Sequence, residues 1–276
     1  MSHVEAPFLI AVIREKEKSL LGDNEITRIM HAKSLADARE VLMSTPYAMF
    51  LSEGSSIQSG LTSALEHEFI WLERHLDNSN ILAFIAARYD VLHVAQAVIA
   101  LAEGEVHAPS TSRIGTVSHS MLQELVFTNS NAMTKEMKFW VSCIASQKDA
   151  IVNGTWSMPF LFASMQQVLE ERLRSLASTP FMKTLAEQLK SRHESDRKLQ
   201  EDRSRTDAAR YEWEWDVQAI KLARSFRFEP VGYDPIIAYW ITKEMERKTI
   251  SLMFAALAGG FSTEETRSFI RPFAHV

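Results

Sequence analysis

Apolar residues recur along this chain at helical spacing, and helix-stopping residues divide it into segments. Ile10, Ile13, Leu20 and Leu21 predict a helix over 5–21 that ends at Gly22. Ser34-Leu35-Ala36-Asp37 has the spacing of a capping box in its Asp variant and opens a short helix ending near Thr45-Pro46. Leu61, Leu65, Phe69 and Leu72, at steps of three and four, predict a helix from about Gln58 to Leu76. Asn80 can cap a helix from Ile81 to Glu103, closed by Gly104. That helix is apolar on most faces (Ile81, Phe84, Ile85, Val91, Val94, Val98, Leu101), so it must be buried against several others. Pro109, Gly115 and several Ser and Thr make 105–118 a loop.

The C-terminal end has the same design. Asp234-Pro235 reads as an N-cap followed by Pro at the first helical position, opening a helix to Ala258 that stops at Gly259-Gly260. Ser262-Thr263-Glu264-Glu265 caps a last short helix to about Ile270. Sliding Ile81–Gly104 onto Ile237–Gly260 takes one constant offset of 156 and leaves six of 24 positions identical, the terminal glycines among them. Asp90 falls on Glu246, and Val94 on Ile250. Thr134-Lys135-Glu136-Met137 echoes Thr242-Lys243-Glu244-Met245 at offset 108. Two readings of these matches are open: internal duplication, which the shared acidic position and terminal glycine favour, and chance matching of two Ala-rich apolar helices at some register.

Between Pro180 and Pro230 lie 49 residues without Gly or Pro: amphipathic at first (Phe181, Leu185, Leu189), densely charged from Arg192 to Arg205, aromatic at the end (Tyr211, Trp213, Trp215). One long helix, or two with an exposed elbow, fits this pattern. The charged part reads as a solvated face laced by i,i+4 pairs. The alternating aromatics cannot share one helical face, so most belong in a core and one can stand exposed. No low-complexity linker interrupts the chain. The expected fold is all-α, one cooperative body of pseudo-repeated helical units: 1–117 a first unit, 118–210 a divergent and abbreviated middle, and 211–276 the C-terminal part of a last unit.

Composition narrows the function classes. The 276 residues carry 30 basic and 35 acidic side chains, a net charge of −5 that argues against a dedicated nucleic-acid binder. Nine Gly and eight Pro are too few for an all-β sandwich. A single cysteine, Cys143, excludes an intramolecular disulfide and a cysteine-rich zinc site, and its apolar neighbours suggest an inert buried thiol. Ile250–Thr263, about 14 nearly uncharged residues, is shorter than the roughly 20 of a membrane span. The run Phe8–Ile13 is too short and wrongly flanked for a signal peptide, so a cytoplasmic protein is expected.

Catalytic signatures are mostly missing. There is no GxGxxG, no GxxxxGK[ST] and no HExxH. Asp90-x-x-His93 alone does not make a helical dimetal site, which needs two Glu-x-x-His pairs and two further glutamates. No metal, cofactor or small-molecule ligand is expected. The charges inside the two apolar helices stand out: Arg88 and Asp90 in the first, Lys243, Glu244 and Glu246 in the last. Such charges must be paired or face water. Three readings are open: salt bridges between the repeated helices, a polar cavity wall that meets a partner, and an acid/base pair.

These segments together resemble the C-subunit family of V/A-type ATPases, which is related to the d subunit of eukaryotic V-ATPases. Ala11 to Leu21 resembles the opening helix of that family, with Arg14, Glu17 and the Leu pair in place; Leu35 to Tyr47 resembles its second helix. Arg88-Tyr89-Asp90 matches the family's Tyr-Asp motif, with His93 where Asn is usual, and Ile114-Gly115-Thr116-Val117 is similar to its Gly-Thr turn. Val231 to Tyr239, followed by Lys243-Glu244-Met245-Glu246, follows its Gly-x-x-Pro-x-x-x-Tyr and Lys-Glu-x-Glu pattern. Relative to three full repeats the chain is short by about half a repeat, lost around 128–210.

The resemblance implies a funnel-like helical body without catalytic residues. It would seat the central stalk of a rotary ATPase and rest on the membrane rotor ring, passing torque between ATP hydrolysis or synthesis and ion translocation. Its partners would be the stalk subunits and the ring; its location would be cytoplasmic and peripheral to the membrane. Arg88, Asp90, Lys243, Glu244 and Glu246 are the candidate partner-binding residues. The alternatives are a free-standing helical scaffold descended from that family, and a helical enzyme using Asp90, His93 or Glu244.

Overall fold

The computed structural model describes residues 6–52, 54–128, 135–199 and 205–270; among these the chain is helical and contains no strand, so the all-α expectation is borne out. Twelve α-helices follow in order among the described residues: α1 (Ala6–Glu17), α2 (Asp23–Met30), α3 (Leu35–Met43), α4 (Ile57–His75), α5 (Ser79–Ala102), α6 (His119–Leu122), α7 (Lys135–Val152), α8 (Met158–Leu176), α9 (Pro180–Leu199), α10 (Arg205–Phe226), α11 (Asp234–Ala258) and α12 (Thr263–Phe269). A 3₁₀ turn, Pro46–Phe50, follows α3, and a π turn, Gln123–Phe127, continues α6. By contacts the chain forms two compact units, one of Met1–Asn78 with Thr179–Val276, the other of Ser79–Ser178.

The first unit is built around α11. Sixteen of its residues are buried, from Asp234 to Ala256, and it packs against α1, α2, α3, α4, α9, α10 and α12. Trp240 meets Phe69 of α4 edge-on, with ring centroids 5.8 Å apart. Two helices, not one, fill the stretch between Pro180 and Pro230. Phe181 at the start of α9 lies against Phe226 at the end of α10, their rings 5.3 Å apart, so α10 returns antiparallel along α9. Asp216 on α10, fully buried, accepts from Lys248 Nζ on α11 at 2.8 Å.

The second unit is α5 packed against α7 and α8, with α6 and the π turn closing one side. Its core holds Val91, Val94 and Val98 of α5, Trp140 and Ile144 of α7, and Leu161 and Met165 of α8. Cys143 is buried there, its Sγ 3.3 Å from Ser164 Oγ, and burial raises its pKa, as expected of an inert thiol.

Ser34 and Ser262 cap where the sequence places caps, whereas α5 begins at Ser79, ahead of the expected cap Asn80, and α11 takes in Asp234 as its first residue with Tyr233 at the N-cap position and no side-chain cap. Ser34 Oγ accepts from Asp37 N at 3.1 Å, and Ser262 and Glu265 form a reciprocal box. The predicted helix over 5–21 is shorter. α1 ends at Glu17, and a tight turn through Ser19 sends Leu21 into the core. α2 is an element the periodicity does not reveal, because only Ile26 and Ile29 of its eight residues are buried. Of the aromatic trio, Trp213 is half-buried; the side chains of Tyr211 and Trp215, the charged 192–199 and 205–210, and Thr134 to Met137 of the Thr-Lys-Glu-Met echo lie outside the described residues.

Candidate functional site

Glu246 sits on α11 with no solvent exposure. One carboxylate oxygen accepts from the backbone N–H of Leu21 at 2.5 Å; the other accepts from the Tyr47 hydroxyl at 2.6 Å and from Lys243 Nζ at 2.5 Å. Lys243, one turn earlier on the same helix, also lies 4.4 Å from the centre of the Tyr47 ring. One buried charge thus fastens the α1–α2 turn and the start of the 3₁₀ turn to α11. Burial, followed by the Glu246 charge, raises the Tyr47 pKa, so its hydroxyl stays a donor.

Asp90, at the equivalent position on α5, is also fully buried. It accepts from Thr116 N at 2.6 Å, from Thr116 Oγ1 at 2.6 Å and from Val117 N at 2.9 Å. Burial raises its pKa, and the three hydrogen bonds oppose that shift. His93, 4% exposed, has its Nδ1 without a hydrogen-bond partner among the described residues, and burial lowers its pKa. Gly115 explains why the turn can come so close. Its φ is +149°, and a Cβ there would lie 2.8 Å from Asp90 Oδ1 and 3.1 Å from the His93 ring.

The constant offset therefore places two buried carboxylates at the same point of two long helices. Both helices end at matched positions, Ala102 and Ala258, followed by Gly104 at φ +87° and Gly260 at φ +71°. The carboxylates have the same task, to accept backbone N–H groups of a turn, but each is satisfied inside its own unit by different residues. Glu244 is buried, while Arg88 and Lys243 are partly exposed.

Two further features, the Arg227 partner of Glu17 and an exposed apolar corner, come from the fold. In the first unit, Glu17 pairs with Arg14 on its own helix at 3.0 Å and with Arg227 Nε, beyond the end of α10, at 3.0 Å. In the second unit, the α7–α8 turn and the first turn of α8 expose Val152, Met158, Phe160 and Phe162. Residues 150–169 contain no charged side chain, a signal that the sequence itself carries. Among the described residues no three His, Cys, Asp or Glu side chains converge to hold a metal ion. α5 is long and apolar enough to cross a membrane, yet 72% of its most apolar window is buried inside the protein, as befits a core helix.

The Arg14–Glu17 helix, the turn after α3, and the Asp90 clasp on Gly115-Thr116 all lie within one continuous stretch of sequence. The model of the ATP synthase (C/AC39) subunit family matches residues 9–133. The resemblance to that family of V/A-type ATPase subunits is borne out over this stretch. The C-terminal pattern around Tyr233 and Glu246 lies beyond it. No curated protein matches the chain.

Proposed function

We propose that this chain is the non-catalytic adaptor of a V/A-type rotary ATPase, joining the central stalk to the membrane rotor ring. The match of residues 9–133 to a family of subunits of that machine carries the reading. The helical build suits it, since packed helices pass torque without bending. Asp90 and Glu246 then act as positioning carboxylates that hold the Gly115–Val117 and Leu20–Gly22 turns, with Arg88, Lys243 and Glu244 as partner-binding residues nearby on the same two helices. The exposed apolar corner at Val152, Met158, Phe160 and Phe162 is an uncharged surface suited to a membrane-embedded ring. The chain would then be cytoplasmic and peripheral to the membrane, with 118–210 an abbreviated middle repeat between units 1–117 and 211–276.

The test is affinity purification of the tagged protein from its own membranes, paired with ATP-driven ion pumping in a deletion strain. Stalk and ring subunits are expected in the eluate, and pumping is expected to fail on deletion. An eluate free of ATPase subunits together with intact pumping would leave the free-standing scaffold as the better description.

A further inference from the structure

His93 lies one turn along α5 from Asp90, and the constant offset of 156 places it on Thr249, one turn from Glu246 on α11. Both side chains are buried, and each has a polar atom without a hydrogen-bond partner among the described residues, His93 Nδ1 and Thr249 Oγ1. The two clasps thus share a buried carboxylate, a captured turn and an unsatisfied neighbour. Of the two neighbours, only His93 can take up a proton near neutral pH. What covers it is the captured turn itself. Gly115 stands so close that a Cβ there would lie 3.1 Å from His93 Nδ1 and 2.8 Å from Asp90 Oδ1.

Among the described residues Asp90 is the charged group that acts on His93, and burial opposes the imidazolium more strongly than Asp90 favours it. Residues 114–117 of the turn carry no ionisable side chain, and α6, α7 and α8, which also flank α5, bring none to bear. Arg88 on α5 is partly exposed; His107 and Arg113 in the loop and His119 on α6 are exposed. A closed turn therefore keeps the imidazole neutral, whereas an open one admits water and lets it bind a proton at its ordinary value of 6.5. Opening gains as pH falls through that value, by up to about tenfold per pH unit below it. Burial raises the Asp90 pKa from 3.8, so its own protonation acts with the opposite sign at lower pH. The other half of the loop is held separately. Ala108 N donates to Gln123 Oε1 at 2.8 Å and Gln123 Nε2 to Val106 O at 3.3 Å, which confines release to residues near Gly115.

We propose that the α5 clasp is an acid-released catch: a proton on His93 lifts the Gly115-Thr116-Val117 turn from Asp90, while the α11 clasp, with Thr249 in that place, stays shut. The catch lies within the second unit and requires no partner, so it stands apart from the rotary-ATPase reading.

The experiment measures amide hydrogen exchange in the full chain at pH 7.5 and 5.5, with rates corrected for the intrinsic pH dependence of exchange. The Thr116 and Val117 amides donate to Asp90 and report one clasp; the Leu21 amide donates to Glu246 and reports the other. Opening at Thr116 and Val117 is expected to rise by about five- to tenfold at pH 5.5, with little change at Leu21, and His93→Asn should abolish the rise. No rise at Thr116 and Val117, or an equal rise at Leu21 from general loosening, would overturn the catch. A rise that persists in His93→Asn would assign it to His107 or His119, present in both proteins, and would overturn it too. Ring nitrogen shifts of His93 in the unaltered chain give a second readout should the variant fail to fold. Protonation at the pH where exchange rises sustains the catch, and an imidazole still neutral at pH 5.5 overturns it.

Discussion

The Tyr47 hydroxyl donates to Glu246 Oε2 at 2.6 Å across 199 positions of sequence, with both residues buried. This bond joins the turn after α3 to the middle of α11. Tyr47→Phe leaves the carboxylate short of one donor in a site that water does not reach. The expected cost is about 1–3 kcal/mol by chemical denaturation. Glu246→Lys sets a second cation beside Lys243 and should cost more, about 3–5 kcal/mol, in the isolated chain. A Glu246→Lys protein that melts normally would show that the carboxylate does not hold the fold.

Gly115 and Gly104 provide a matched pair of substitutions. Both have positive φ, but a Cβ at Gly104 meets nothing within 4 Å, while at Gly115 it meets Asp90 and His93. Gly104→Ala should cost only backbone strain, about 1–2 kcal/mol. Gly115→Ala adds displacement of the Thr116 and Val117 hydrogen bonds and should cost clearly more, read as the difference in melting temperature between the two variants.

Stability should fall as pH drops below the ordinary histidine value of 6.5, in part because of His93. Burial lowers the folded-state pKa of His93, so in that window the unfolded chain binds more protons than the fold. Asp90 carries the opposite sign, its raised pKa favouring the fold as pH falls toward 3.8, and it is present in both proteins compared. His93→Asn should therefore flatten the decline in melting temperature between pH 7 and 6. Parallel curves for variant and wild type would count against a buried neutral imidazole.

Gln147 on α7 is fully buried, and neither end of its amide has a partner among the described residues. An amide without hydrogen bonds in an apolar site is a liability that a hydrocarbon of similar volume removes. Gln147→Leu should stabilise the chain by about 1–3 kcal/mol, seen as a higher denaturant midpoint at unchanged slope.

Phe160 and Phe162 are 39% and 53% exposed, so replacing both with Ser should cost little stability. If the apolar corner meets a membrane ring, the double variant should move from the membrane fraction to the soluble fraction at unchanged melting temperature. Unchanged sedimentation with membranes would assign the corner no part in attachment.

Legibility in the sequence follows the strength of local periodicity. α4, α5 and α11 are evident because apolar residues recur over many turns, and α3 and α12 because Ser34 and Ser262 supply caps. α2 escapes detection, with two buried positions in eight residues, and α7 and α8 lie in a middle region whose pattern shows only divergence. The charges of α5 and α11 stand out as anomalies in apolar helices, which marks Asp90 and Glu246. The Arg14–Glu17 pair is visible at i,i+3, but its third member, Arg227, comes from 210 positions away.

By itself the sequence determined where helices form, where most of them stop, and that Asp90 and Glu246 need partners. These are consequences of a 3.6-residue period, of caps within one turn, and of the cost of a lone buried charge, all of which a short window contains. Only the tertiary structure decided which partners they take. Leu21 is brought to Glu246 across 225 positions and Tyr47 across 199, and Glu17 to Arg227 across 210. Such pairings arise from how whole helices pack, and hydrophobic packing is non-directional, so no local pattern specifies which turn will come to rest against a given carboxylate.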